Sequence, residues 1–149
     1  MSTDATGAEI PIGLILGGGS LLNQVGRELS TVLERKLAPL GLTAQQAALL
    51  LHARREPSSP RDLMSVLGTD TAGMTRLLDR LAAKGLLRRG KHPEDRRAIV
   101  IELTDEGRAI VPRLPPIFGR VTRQLLDGFS REEIDRLSSM LRRMLDNLG

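Results

Sequence analysis

The 149 residues include no cysteine, tryptophan or tyrosine, and Phe118 and Phe129 are the only aromatic side chains. Without cysteine there can be no disulfide, no thiol redox sensor and no Cys-ligated zinc. Histidine is almost as scarce, with His52 and His92 alone. No Ser–His or Cys–His nucleophile pair and no metal-ligand spacing can be assembled, so no catalytic residue, metal site or cofactor is expected. Long apolar runs are missing too. The longest, Ile10 to Leu16, is interrupted by Pro11 and Gly13 and is far too short to span a bilayer. Met1-Ser2-Thr3-Asp4 lacks the basic start of a signal peptide. A soluble, cytoplasmic protein with no membrane partner is expected. With so few aromatics the core must be aliphatic, which suits helices packed on helices.

Basic charge is present, and it is localised. The formal net charge is only +4, yet Arg76 to Arg97 holds eight basic residues against three acids, a net of +5. The remainder of the chain is close to neutral. Such a concentration is the electrostatic footprint of a polyanion-binding surface.

This basic segment lies inside the stretch Leu67–Gly107, around which the chain is organised. Met74, Leu77, Leu78 and Leu81 recur at i, i+3, i+4 and i+7, one face of a helix, and Gly85 marks its end. Two strand candidates follow, Leu86–Arg89 and Ala98–Leu103, joined by the charged turn Lys91–Arg96. A helix followed by a basic hairpin outlines a winged helix. Upstream, Thr43 and Gln46 form a capping box ahead of Ala47, Leu50 and Leu51. His52 on the same helix is expected to be packed rather than a ligand. Ser59 and Pro60 open a short helix, with Leu63, Val66 and Leu67 inward, and Gly68 makes the turn into the next. Two helices joined by a tight Gly-containing turn are a helix-turn-helix.

The ends of the chain read as long amphipathic helices. From Pro11 an apolar stripe runs through Ile12, Ile15, Leu16, Leu22, Val25, Leu29, Val32, Leu33 and Leu37, interrupted by Gly17-Gly18-Gly19. The glycines do not have phosphate-loop spacing. After the wing a helix begins at Thr104-Asp105-Glu106, and Pro112, Pro115 and Pro116 predict a bend or break within it. Ser130 and Glu133 form a second capping box. Ile134, Leu137, Leu141, Met144 and Leu148 then repeat at three- and four-residue steps, the seam of a helix that packs on a partner or, as the alternative, on the chain's own first helix.

Taken together, Gly41-Leu42-Thr43-x-x-Gln46, Thr75-Arg76-Leu77-Leu78-Asp79-Arg80-Leu81, Lys84-Gly85-Leu86, Asp95-x-Arg97 and Leu103-Thr104-x-x-Gly107 resemble the MarR (multiple antibiotic resistance regulator) family of bacterial transcription regulators. The match extends from about Ile10 to Leu148. It implies a mainly α, homodimeric winged helix-turn-helix protein of six helices and a small β-wing, dimerising through its terminal helices. The DNA-binding lobe would span about 42–104, and the dimerisation helices about 11–38 and 105–148. The resemblance further implies a recognition helix in the major groove, a wing in the minor groove, and release by a small, often aromatic or phenolic, ligand. The cysteine-dependent peroxide-sensing mode is excluded.

On this reading Thr71, Ala72, Gly73, Thr75 and Arg76 face base edges of double-stranded DNA, with Arg76 the candidate for guanine readout or else a phosphate contact. Arg61 and Arg80 belong to the phosphate-facing set, and Ser59 is a further DNA-binding candidate. Asp95 pairs with and aims Arg97 for the minor groove, with Lys91 or Arg96 as the alternative tip residue. The dimer interface draws on Ile12, Ile15, Leu16, Ile134, Leu137, Leu141, Met144 and Leu148. The alternatives are a ligand-independent architectural DNA binder and a protein-interaction winged helix.

Overall fold

The computed structural model describes residues 2–3, 9–14, 19–54, 58–95 and 97–149. A short antiparallel pair, β1 (Ser2–Thr3) and β2 (Glu9–Ile10), precedes a 3-10 turn at Ile12–Leu14. Helix α1 spans Leu21–Leu37 and is followed by a 3-10 turn at Ala38–Leu40. Next come α2 (Ala44–Ala53), α3 (Pro60–Leu67) and α4 (Thr71–Ala83). The wing strands are β3 (Leu87–Lys91) and β4 (Ile99–Leu103). Helices α5 (Asp105–Ile110), α6 (Leu114–Leu125) and α7 (Arg131–Leu148) complete the chain. Among the described residues, no helix is long and apolar enough to cross a membrane.

Local chemistry sets most helix starts. Thr43 Oγ1 accepts from Gln46 N while Gln46 Oε1 accepts from Thr43 N, both at 3.2 Å, which makes the expected capping box. Ser59 Oγ caps α3 through Asp62 N, and Asp70 Oδ1 caps α4 through Gly73 N. Between those two helices Gly68 sits at φ 63°, a left-handed conformation that costs glycine nothing sterically.

The first helix departs from expectation. It starts at Leu21 under a Ser20 cap rather than near Pro11. The glycine run explains the displacement, because each Gly costs a helix about 1 kcal/mol relative to Ala, and Ser20 directly after it supplies a cap. The expected fifth helix is broken where the prolines predicted. A 3-10 turn at Val111–Arg113 separates α5 from α6. Two burial expectations fail. Val66 is 59% exposed. His52 is exposed on α2, whose buried face is Ala47, Leu49, Leu50 and Ala53.

The core is aliphatic. Leu37, Leu49, Leu50, Leu81, Ile101 and Leu114 are its most deeply buried members. Each such side chain contributes about 1.5–3 kcal/mol through removal from water. β3 and β4 pair antiparallel from Leu87↔Leu103 to Lys91↔Ile99. Ser58 adds a bridge on the far edge of β4, with Ile101 N donating to Ser58 O at 2.7 Å. The wing is thereby tied to the segment entering α3. Helix α6 runs back along α1, with Val121 and Leu125 beside Leu21 and Val25.

Candidate nucleic-acid interface

Helix α4 is amphipathic, and its two faces are cleanly divided. Met74, Leu77, Leu78 and Leu81 are buried, whereas Thr71, Ala72, Thr75, Arg76, Asp79 and Arg80 are exposed. The Asp70 cap keeps the first turn intact while leaving that exposed face open. Gly73 is half-buried against the cap: a Cβ there would lie 2.2 Å from Thr69 Oγ1 and 3.1 Å from Asp70 Oδ1. Its smallness therefore serves the turn. The Thr75 hydroxyl donates to Thr71 O at 2.9 Å. Arg76 and Arg80, one turn apart, line a cleft of about 540 Å³ between α4, α1 and the start of α2. Arg61 is exposed on the first turn of α3, and Ser59 is half-buried with its hydroxyl engaged in the cap.

The wing is oriented by ion pairs that the sequence pattern did not reveal. Arg89 Nη2 lies 2.6 Å from Asp79 Oδ1, joining β3 to the exposed side of α4. Arg88 Nε lies 3.4 Å from Glu102 Oε2 across the sheet. Lys84, just past α4, donates to Gly41 O and, at 2.8 Å, to Gln46 Oε1. Lys84, Arg88 and Arg89 are thus engaged within the fold. Among the described residues, Arg61, Arg76, Arg80, Lys91 and Arg97 take part in no ion pair.

The wing tip corrects one expectation. Asp95 Oδ1 accepts from the backbone N of Arg97 at 3.0 Å, and no ion pair joins the two side chains. The carboxylate shapes the turn, since an Asp at this spacing meets a backbone N–H two residues on more readily than a mobile guanidinium. His92 Nδ1 likewise accepts from Glu94 N at 3.0 Å. Lys91 and Arg97 are both exposed, and Arg96 lies outside the described residues.

A second junction connects this lobe to the first helix. Glu34 Oε1 on α1 accepts from Ala44 N, the first residue of α2, at 3.0 Å. The start of α2 is thus held by α1 on one side and by Lys84 on the other. Spacing could not have revealed this, because Lys84 and Gly41 are 43 residues apart.

The terminal helices leave apolar surface uncovered. Among the described residues, none of α7 is buried. Ile134 and Leu137 are half-buried, Leu141 and Met144 are each 38% exposed, and Leu148 is 85% exposed. On α1, Leu21, Leu22 and Val25 are exposed, bordering an apolar cleft of about 350 Å³ against α6. Of the expected N-terminal interface residues, Ile15 and Leu16 lie outside the described residues, as does the side chain of Ile12.

Comparison with known proteins bears on this arrangement. Residues 40–98, the segment from α2 through the wing turn, match the family model described as MarR family. The chain is 31% identical over 129 residues to the multiple antibiotic resistance protein MarR of Escherichia coli (strain K12), covering 85% of this chain and 90% of that protein. A mutant of Escherichia coli MarR in complex with operator DNA superposes with a TM-score of 0.79 at 29% identity, over 92% of this chain and 99% of the other. Bordetella bronchiseptica BpsR, whose DNA binding is regulated by 6-hydroxynicotinic acid, gives a TM-score of 0.79 at 26% identity, over 93% and 99% of the two chains.

Proposed function

The chain belongs to the MarR family of transcriptional regulators, and on that premise we propose that it is a homodimeric repressor reading a pseudo-palindromic operator. Each α4 enters the major groove with Thr71, Ala72, Gly73, Thr75 and Arg76 toward base edges. Arg76 forms the bidentate contact to guanine. Ser59, Arg61 and Arg80 meet phosphates. The wing, with Lys91, Asp95, Arg96 and Arg97, lies at the minor groove. Residues 42–104 form the DNA-binding lobe, and 11–38 with 105–148 the dimerisation lobe. Ile12, Ile15, Leu16, Ile134, Leu137, Leu141, Met144 and Leu148 belong to the dimer interface. A small organic ligand releases the protein from DNA, as 6-hydroxynicotinic acid regulates the DNA binding of BpsR. The site of action is the cytoplasm.

The observation that carries this reading is the division of α4. Its apolar half is consumed in the core, while Thr71, Ala72, Thr75, Arg76 and Arg80 stand exposed, and among the described residues neither arginine joins an ion pair. A protein-docking helix would expose apolar anchors there; α4 exposes Thr, Ala and Arg.

The test is a salt titration of binding to duplexes selected from genomic DNA. Six to ten phosphate contacts predict a loss of about 10³–10⁵ in affinity between about 50 and 200 mM salt. Arg76→Ala should relax selectivity at one base position per half-site. A salt-independent affinity would overturn the reading. Equal weakening on every duplex would reassign Arg76 to phosphate.

A further inference from the structure

Lys84 holds something different from the other engaged cations of the basic segment. Arg88 and Arg89 pair with carboxylates. Lys84 follows the last turn of α4, and its ammonium donates to the carbonyl of Gly41 and, at 2.8 Å, to Gln46 Oε1. Gln46 is only 3% exposed, so a buried amide oxygen takes two donors at once, Lys84 Nζ and Thr43 N. A charge-assisted bond to a buried acceptor is directional and outweighs an exposed ion pair. The same turn is gripped from the other side, where Glu34 Oε1 on α1 accepts from Ala44 N at 3.0 Å. The end of α4 and α1 are therefore linked through Gly41–Gln46 by directional bonds, whereas the apolar stripe of α4 is held by contacts without direction.

We propose that Lys84 is a positioning residue for operator recognition: it aims α4 from its C-terminal end, through the Gly41–Gln46 turn and Glu34, without touching DNA itself. The proposal rests on the regulator reading above. The lever is long. At about 1.5 Å per residue Thr71–Ala83 extends about 20 Å, so a tilt of about 10° about the C-terminal end carries the first turn about 3 Å, against about 0.5 Å tolerated by a binding constellation. Thr71, Ala72, Thr75 and Arg76 would then miss their base edges although none of them is altered. Phosphate contacts from the long side chains of Arg61 and Arg80 carry no sequence information and follow the backbone more easily. Lys84 itself sits at the end of the lever away from the base-facing turn, with its ammonium turned to α2. Loss of the clasp therefore costs sequence selectivity rather than DNA affinity at large.

The test compares Lys84→Met with the parent full-length protein on a duplex selected from genomic DNA and on a scrambled duplex of equal length. Affinity for the selected duplex should fall about tenfold or more, the effect of losing a hydrogen bond to a charged group. Affinity for the scrambled duplex, and its salt slope, should match the parent. In a Gln46→Met background Lys84→Met should cost a smaller factor, because one of its two acceptors is already gone. Without DNA, hydrogen exchange at the Thr43 and Gln46 amides should quicken as the capping box loosens. Lys84 is exposed, so Lys84→Met is expected to fold, and a thermal scan checks it.

Four results would overturn the proposal. Lys84→Met could match the parent on the selected duplex, which with a lowered Tm makes Lys84 a structural residue only. Both duplexes could weaken equally, with a salt slope shallower by about 0.9, which makes Lys84 a phosphate contact. The full effect could persist in the Gln46→Met background, or amide exchange could stay unchanged. A parent protein with no preference for the selected duplex would overturn the regulator reading as well; a selective parent matched by Lys84→Met overturns this proposal alone.

Discussion

Replacing Gly107 by alanine should damage the joint between the wing and α5. Gly107 is buried in the first turn of α5, and a Cβ built there lies 2.0 Å from the backbone oxygen of Leu86 and 3.5 Å from Leu103 Cβ. Ordinary contact begins near 3.4 Å, so the methyl is about 1.4 Å too close to a backbone atom that cannot rotate away. The same Leu86 oxygen accepts from Thr104 N at 3.2 Å, and Thr104 Oγ1 donates to Gly85 O at 2.6 Å while accepting from Gly107 N at 3.1 Å. Relieving the clash means separating β3's entry from α5, which loosens all three bonds. Overpacking costs about 1–3 kcal/mol and a weakened Thr cap about 1 kcal/mol, against about 1 kcal/mol regained from helix propensity. A net loss of about 1–3 kcal/mol is expected, or about 2–12 °C in Tm for a chain of this size. Circular-dichroism melting at fixed protomer concentration measures it, because a dimer's Tm depends on concentration. Gly119→Ala is the matched control. Its Cβ would meet only the end of Arg123 at 3.6 Å, so about 1 kcal/mol of stabilisation is expected. A Gly107→Ala protein as stable as the parent would refute the reasoning.

Further outcomes can be measured directly. Leu137→Glu/Leu141→Glu places two charges on the α7 face left uncovered in one protomer, and light scattering should then show monomers or unfolded chains that fail to bind a full operator. Asp79→Asn removes the 2.6 Å pair with Arg89; an exposed pair is worth about 0–1 kcal/mol, so Tm should barely move, while operator affinity falls as the wing loses its orientation. Unchanged affinity would show that the wing is aimed by other contacts. The Glu133 carboxyl is held below its usual value of 4.5 by the Ser130 backbone N–H and then the Ser130 hydroxyl. A depressed folded-state value means that its contribution to α7 is complete above the unfolded value and is lost as pH falls through the folded one. NMR titration should place the Glu133 midpoint below the ordinary 4.5, and Glu133→Gln should abolish the acid-induced fraying of the α7 start.

The sequence by itself determined whatever depends on a few neighbouring residues. The capping boxes at Thr43–Gln46 and Ser130–Glu133, the Ser59-Pro60 helix start, the Gly68 turn and the proline break all rest on interactions within four residues, and the structure has each of them. The buried stripe of α4 was legible for the same reason, since side-chain period and helix geometry are one property. What the cations do was not legible. Arg88, Arg89 and Lys84 look like Arg76 and Arg80 in a charge count, yet their partners lie 10 to 43 residues away in sequence. Val66 and His52 fit or flank an apolar stripe but face outward, because which positions are covered depends on where neighbouring elements dock. The packing of Gly107 on Leu86, the turn-shaping role of Asp95 and the clasp of Lys84 on the Gly41–Gln46 turn arose only when distant segments met. Local hydrogen bonds select the elements; tertiary packing decides which charges are spent inside the fold and which remain for a partner.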